Sequence, residues 1–254
     1  MTAELAWLLP AFLLVAFCYA TAGFGGGSSY LAILALAMLP TGELRTTALL
    51  CNLVVAGGGT WRLARAGQLP WRRAVPLVVA SIPLAYLGGR LALPREQFLY
   101  LLGAVLLVAG LLMLLGRWRR DTVEESTRES ENWWSSLALG GGLGFLSGVV
   151  SIGGGIFLSP VLFLSRWAAA KQIAAVTSLF IFVNSLGGLG GNLAAGRAVD
   201  WALTGPLLLA VLIGGQLGSR LTVGQLRAAQ VRRAAAVLIL VVAVRLLLPY
   251  VWPS

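Results

Sequence analysis

The sequence predicts an all-α polytopic membrane protein. It is built from two inverted-topology repeats of about five membrane segments each, with short glycine-interrupted helices at the centre. Three observations predict this. The 254-residue chain is 58% hydrophobic and 11% charged, with a mean hydropathy of +0.87. No residue from Leu5 to Gly42, or from Asn132 to Ser165, carries a charge. Uncharged apolar runs of about 18 residues or more read as membrane helices. Finally, Gly25-Gly26-Gly27 returns as Gly153-Gly154-Gly155 at an offset of 128 residues. The apolar runs are continuous rather than alternating, so helices, not barrel strands, satisfy the backbone in lipid.

Ten apolar segments follow in order, at approximately 5–22, 25–40, 46–66, 73–93, 97–116, 133–151, 153–166, 172–195, 201–219 and 229–248. The long polar stretch 117–132 mixes arginines with five acids and has no apolar period, as a solvated cytoplasmic linker would. It divides an N-terminal repeat, 1–116, from a C-terminal repeat, 133–254. Beyond the triple glycines the register of the repeat is 130. Gly57-Gly58 matches Gly187-Gly188, Trp71 matches Trp201, and Pro76 matches Pro206. Gly88, Arg90 and Leu91 match Gly218, Arg220 and Leu221 at the same spacing. Trp, Pro and Arg holding one register over this distance argue for an internal duplication.

Net charge is +10, and 18 of the 19 basic residues are Arg. They punctuate the ends of apolar runs, which is a topology signal rather than a nucleic-acid stripe. With ten crossings and both termini outside, 14 basic residues fall inside: four at 62–73, four at 117–128, Arg166 with Lys171, and four at 220–233. Arg45, Arg90, Arg95, Arg197 and Arg245 remain outside. If segments two and seven were re-entrant, the split would be 10 to 9. The positive-inside rule therefore favours ten crossings, and an odd number per half inverts the second half. Segments two and seven are short, about 14–16 residues or roughly 21–24 Å against about 30 Å of hydrocarbon. They are expected to start at membrane depth after an unwound glycine turn. Cys18 and Cys51 lie in apolar segments and read as packing residues. The start, MTAELAW, lacks a basic region, so the first helix is expected to stay in the membrane. Short loops and no organellar address point to a prokaryotic cytoplasmic (inner) membrane.

A helix that begins inside the membrane leaves its first N–H groups without intrahelical partners. Such a start is tolerated where protein buries it or where it lines a wet cavity. Free amides and the positive end of the helix dipole suit an anion, and glycine allows close approach. Paired, glycine-broken short segments are a pointer to a transport site. Glycines at 140–144, 187–191 and 88–89 instead suit close helix packing. The candidate substrate-binding residues are Gly25, Gly26, Gly27, Ser28, Thr47, Asn52, Gly153, Gly154, Gly155, Thr177, Ser178 and Asn184. Their hydroxyls and amides can donate to an oxyanion, although Ser and Thr in membrane helices also bond back to their own carbonyls. The chain has no His, and all nine acids lie at segment ends or in the linker. A proton relay, a cation site and catalysis are therefore disfavoured. No metal, cofactor or nucleic acid is expected.

The residues resemble the TauE/SafE (sulfite exporter) family of membrane permeases over about residues 5–250. The resemblance is carried by GFGGG at 23–27 and SIGGGIFLSPVL at 151–162, followed by TTALLCNLV at 46–54 and VTSLFIFVNS at 176–185. AGQLPW from Ala66 and AGRAVDW from Ala195 close the two patterns. It implies transport of sulfite, thiosulfate or an organosulfonate. The first half lacks the proline that Pro160 supplies in the second, so the half-sites are expected to be unequal. The reading is a secondary transporter for a small sulfur anion working by alternating access. A small-anion channel or uniporter is the alternative, and a non-catalytic subunit of a membrane complex a more distant one. Membrane lipid is the other expected partner, with homo-oligomerisation left open.

Overall fold

The computed structural model describes residues 2–22, 25–115, 133–220 and 228–251, and these form ten α-helices and their turns. In chain order they are α1 (Thr2–Ala22), α2 (Gly27–Leu36), α3 (Thr41–Arg65), α4 (Trp71–Arg90), α5 (Arg95–Leu115), α6 (Trp133–Val150), α7 (Gly155–Leu164), α8 (Ala170–Ala194), α9 (Trp201–Arg220) and α10 (Ala228–Val251). Each expected segment overlaps one helix, with α3 starting five residues earlier than expected. The expected linker, 117–132, lies outside the described residues.

α2 and α7 have ten residues each, fewer than the sequence suggested. Ten residues rise about 15 Å, half the thickness of the hydrocarbon. Each is stopped by a residue in the left-handed region, Met38 (φ 58°) after α2 and Arg166 (φ 51°) after α7. These two stops are 128 residues apart, the spacing of the triple glycines. α2 is enclosed by protein: Gly27 through Ala35 are all buried.

The main packings cross between the halves. α4 lies on α6, α1 on α9, α3 on α8, α5 on α10, α4 on α8 and α3 on α9. Exchanging the halves converts each pair into itself or into another member of the set. Glycine makes several of these approaches close. Gly140, Gly144 and Gly148, four residues apart on α6, meet the backbone of Leu77, Ser81 and Ala85 on α4. Gly214 and Gly218 of α9 meet Leu13 and Phe17 of α1 in the same way. Gly89 of α4 meets Gly188 of α8 backbone to backbone, with Gly187 and Gly191 against Ile82 and Tyr86. These are the small-residue contacts by which membrane helices associate.

The outward faces are apolar. Val79, Val108, Leu209, Ile213 and Val241 are each more than half exposed, a face suited to lipid rather than water. The exposed Trp71 and Trp201 stand at the starts of α4 and α9, where interfacial aromatics sit. α5, α6, α8 and α9 are long and apolar enough to cross a membrane by length and composition, and the chain is multi-pass. α3 and α4 fall short of that measure because they carry the interior polar residues and the charges at 45, 62–65 and 72–73.

The Gly144 contact gives a test. A Cβ there would stand 2.5 Å from the Ser81 carbonyl oxygen, whereas one at Gly142 meets nothing within 4 Å. Gly144→Ala is expected to destabilise the protein by about 1–3 kcal/mol, while Gly142→Ala, with the same gain in helix propensity, does not. Melting temperatures of the detergent-purified variants check this.

Candidate functional site

The middle of α3 brings an amide into the interior, where every polar group needs a partner. Asn52 Nδ2 donates to the Ile152 carbonyl at 2.9 Å and to Ser185 Oγ at 3.2 Å. Asn52 belongs to the first half, and both acceptors belong to the second. Ile152 directly precedes Gly153, so this bond holds the second glycine turn. The first turn closes on the same side chain. A Cβ at Gly25 would lie 2.5 Å from Asn52 Oδ1, and Cβ atoms at Gly27 and Gly153 would both strike Asn52 Nδ2. Glycine is needed there because only a bare Cα lets the backbone come this near.

The two turns reach this point by different routes. In the second, Ser151 (φ 58°), Gly153 (φ 86°) and Gly154 (φ 79°) are all left-handed. In the first, Gly26 has φ −93°. Gly153 and Gly154 are thus required by conformation as well as by space. Gly26 packs on the Tyr30 ring, Gly154 on Phe180 and Ser147, and Gly155 on Ile181 and Thr177. The Cα faces of both turns are therefore filled by protein, Asn52 and Ile181 above all, rather than by a void.

What the turns leave uncapped is the helix starts, although the Phe157 amide donates to the Gly154 carbonyl at 3.1 Å. Gly26 and Gly154 are the N-caps of α2 and α7, and no side chain caps either helix. Around them, Tyr30 OH, Asn52 Oδ1, Ser147 Oγ and Thr177 Oγ1 are buried without a hydrogen-bond partner among the described residues. An unmet buried polar group costs about 1–3 kcal/mol, so four around one pair of turns is an expensive arrangement.

The other expected residues are engaged elsewhere. Thr47 pairs with the Thr204 hydroxyl of α9 at 2.7 Å. Asn184 Nδ2 bonds back to the Phe180 carbonyl of its own helix at 2.8 Å. Ser178 lies against Gly59 of α3. Ser28 is buried in the first turn of α2, beside Ser29, whose hydroxyl meets Tyr19 OH at 3.0 Å. A cavity of about 280 Å³ between α1, α3 and α9 begins one turn past Asn52, with Val55, Gly59, Arg62 and Gln216 in its walls.

Arg45 is more than the topology charge that the sequence suggested: it is 1% exposed, buried inside the protein. Its Nε donates to Ser151 Oγ at 2.9 Å, and its guanidinium lies 5.1 Å from the Phe98 ring centroid. It precedes Asn52 by seven residues, two turns along one face of α3. That face therefore grips two consecutive residues of the second turn, Ser151 through Arg45 and Ile152 through Asn52. An arginine flanked by Leu44 and Thr46-Thr47 was the available signal, since an ionisable residue inside the membrane marks function. Arg197, between α8 and α9, is half-buried, and that burial pulls its pKa below the ordinary guanidinium value.

A multi-pass helical bundle with paired, uncapped short helices meeting at its centre has the make-up of a membrane transporter. The sequence pattern of the family described as "Sulfite exporter TauE/SafE" matches residues 8–246. The chain belongs to that family. It is similar to the "Probable membrane transporter protein y4hK" of Sinorhizobium fredii, 32% identical over 247 residues, which cover 97% of this chain and 100% of that protein. It is also similar to the "Probable membrane transporter protein MJ0441" of Methanocaldococcus jannaschii, 25% identical over 131 residues, or 51% of this chain and 48% of that one. No solved structure matches.

Asn52 and Gly25 should be energetically coupled. Gly25→Ala drives a methyl into Asn52, and Asn52→Ala removes the obstruction. A double-mutant cycle on melting is expected to show a coupling of about 0.5–3 kcal/mol, with Gly25→Ala milder in the Asn52→Ala background. Additive effects would contradict the geometry.

Proposed function

We propose that this chain is a secondary transporter for a small sulfur-containing anion, such as sulfite, thiosulfate or an organosulfonate. The observation that carries the reading is the meeting of two uncapped, buried helix N-termini at Asn52. Their amides are fixed donors at the positive ends of two helix dipoles. The hydroxyls of Thr177 and Ser147, unpartnered among the described residues, can rotate to donate as well. A sulfur oxyanion is small, charged and able to accept several such bonds at once. The family's description supports the choice of sulfur.

The proposed mechanism is alternating access of two halves inverted in the membrane, each half contributing one short helix. Matching helix lengths and the exchangeable set of packings support two related halves. Five segments in each half support the inversion. The binding site belongs to both halves, since Asn52 of one half holds the turn of the other. A relative movement of the halves therefore remakes the site. The polar stretch 117–132 is assigned to the cytoplasm, and a prokaryotic inner membrane fits the short loops.

In proteoliposomes the protein is expected to give saturable thiosulfate or sulfite flux with counterflow. Strictly linear flux without exchange contradicts a carrier. Gly26→Val and Gly154→Val are expected to abolish binding while insertion persists, and unchanged transport in both contradicts the site.

A further inference from the structure

Arg45 and Arg197 approach from opposite halves and share their acceptors. Arg197 Nη1 donates to the Gly89 carbonyl at 2.6 Å and Nη2 to the Leu91 carbonyl at 2.7 Å. Arg45 reaches the same two oxygens, Gly89 through Nη2 at 3.4 Å and Leu91 through Nη1 at 3.3 Å. Arg45 also meets the Gly148 carbonyl and Ser151 Oγ, and Arg197 meets Asn192 Oδ1 at 3.0 Å. Every one of these partners is neutral. The neighbouring acid Asp200 is engaged in capping α9, with Oδ1 accepting from the amides of Ala202 and Leu203.

Two guanidiniums drawn onto two carbonyls repel each other, and carbonyl dipoles offset only part of the cost of desolvating them. A negative charge is favoured at such a place. Arg197 can still receive one. Its Nε–H and one Nη2–H have no acceptor among the described residues, and the residue is partly exposed. Arg45 lies beneath, on the face of α3 that carries Asn52 about 10 Å further along.

We propose that Arg197 and Arg45 form a second oxyanion station at one end of the pathway, with Arg197 binding the anion and Arg45 supplying fixed charge below it. This rests on the anion-transport reading. A guanidinium fork matches two oxygens of an oxyanion, and its charge-assisted bonds are about twice as strong as neutral ones. The station supplies the full positive charge that the helix amides at the glycine turns lack.

The test is thiosulfate flux against concentration in proteoliposomes of wild type, Arg197→Gln and Arg197→Lys, at low and at high ionic strength. Arg197→Gln is expected to raise KM about tenfold with Vmax within about twofold of wild type, and Arg197→Lys to recover most of KM. The wild-type KM is expected to rise with ionic strength and that of the Gln variant to rise less. An unchanged KM in Arg197→Gln, or a loss of Vmax alone, overturns the station. If that variant does not fold, Arg197→Lys, which keeps the charge, decides through salt: a KM that rises with ionic strength as in wild type supports the station, and a KM independent of ionic strength overturns it. A wild type that moves neither thiosulfate, sulfite nor an organosulfonate overturns the transport reading itself. Flux with unaltered KM in Arg197→Gln overturns the station alone.

Discussion

One amide sits where the two glycine turns of this protein meet. In hydrocarbon each polar group must find a partner within the protein, and Asn52 finds its partners in the other half, at Ile152 and Ser185. The two glycine turns are shaped around this side chain, because three of their glycines lie too close to it for any Cβ. A hydrogen bond of this kind adds only about 0.5–1.5 kcal/mol, but leaving it unmade costs more. The bond therefore acts less as a store of stability than as a specification of where α3 must stand against the turn of α7.

Around that point, glycine serves two separate ends. On α6, α8 and α9 it brings helix backbones together, as between Gly144 and Ser81 or Gly89 and Gly188. At the turns it brings backbone to side chain and leaves helix amides uncapped. The helices that follow are short because left-handed residues stop them, Met38 in one half and Arg166 in the other. Charge enters from a third direction. Arg45 holds Ser151 from the same face of α3 as Asn52, so the turn is clasped by a cation and an amide one residue apart. The clasp holds a backbone that is left-handed at Ser151, Gly153 and Gly154.

Much of this was legible in the sequence. Ten apolar runs and two registers of repetition gave the helices, and the glycine runs marked the short pair. The pairing of side chains was less legible. Thr47 and Thr177 keep the repeat register, yet Thr47 has Thr204 opposite while the position equivalent to Thr204 is Ala74, and Thr177 is left unpartnered. Asn52 and Asn184 are alike in type but 132 residues apart, two residues off the 130 register. Two residues turn a helix face by about 200°, and Asn184 bonds back to its own helix instead. The burial of Arg45 was not legible, because counting charges along the chain does not reveal it. Its partners, Gly89, Gly148 and Ser151, come from two other segments and a turn distant in sequence.

The central claim is that the uncapped starts of α2 and α7 hold an oxyanion between the halves. The most direct measurement is an experimental structure of the protein with thiosulfate bound, its sulfur located by anomalous scattering. The account predicts that the sulfur lies beside the first-turn amides of α2 and α7, near Thr177, with oxygens at hydrogen-bonding distance from those amides. Thiosulfate bound elsewhere, with both helix starts satisfied wholly by protein groups, would contradict it.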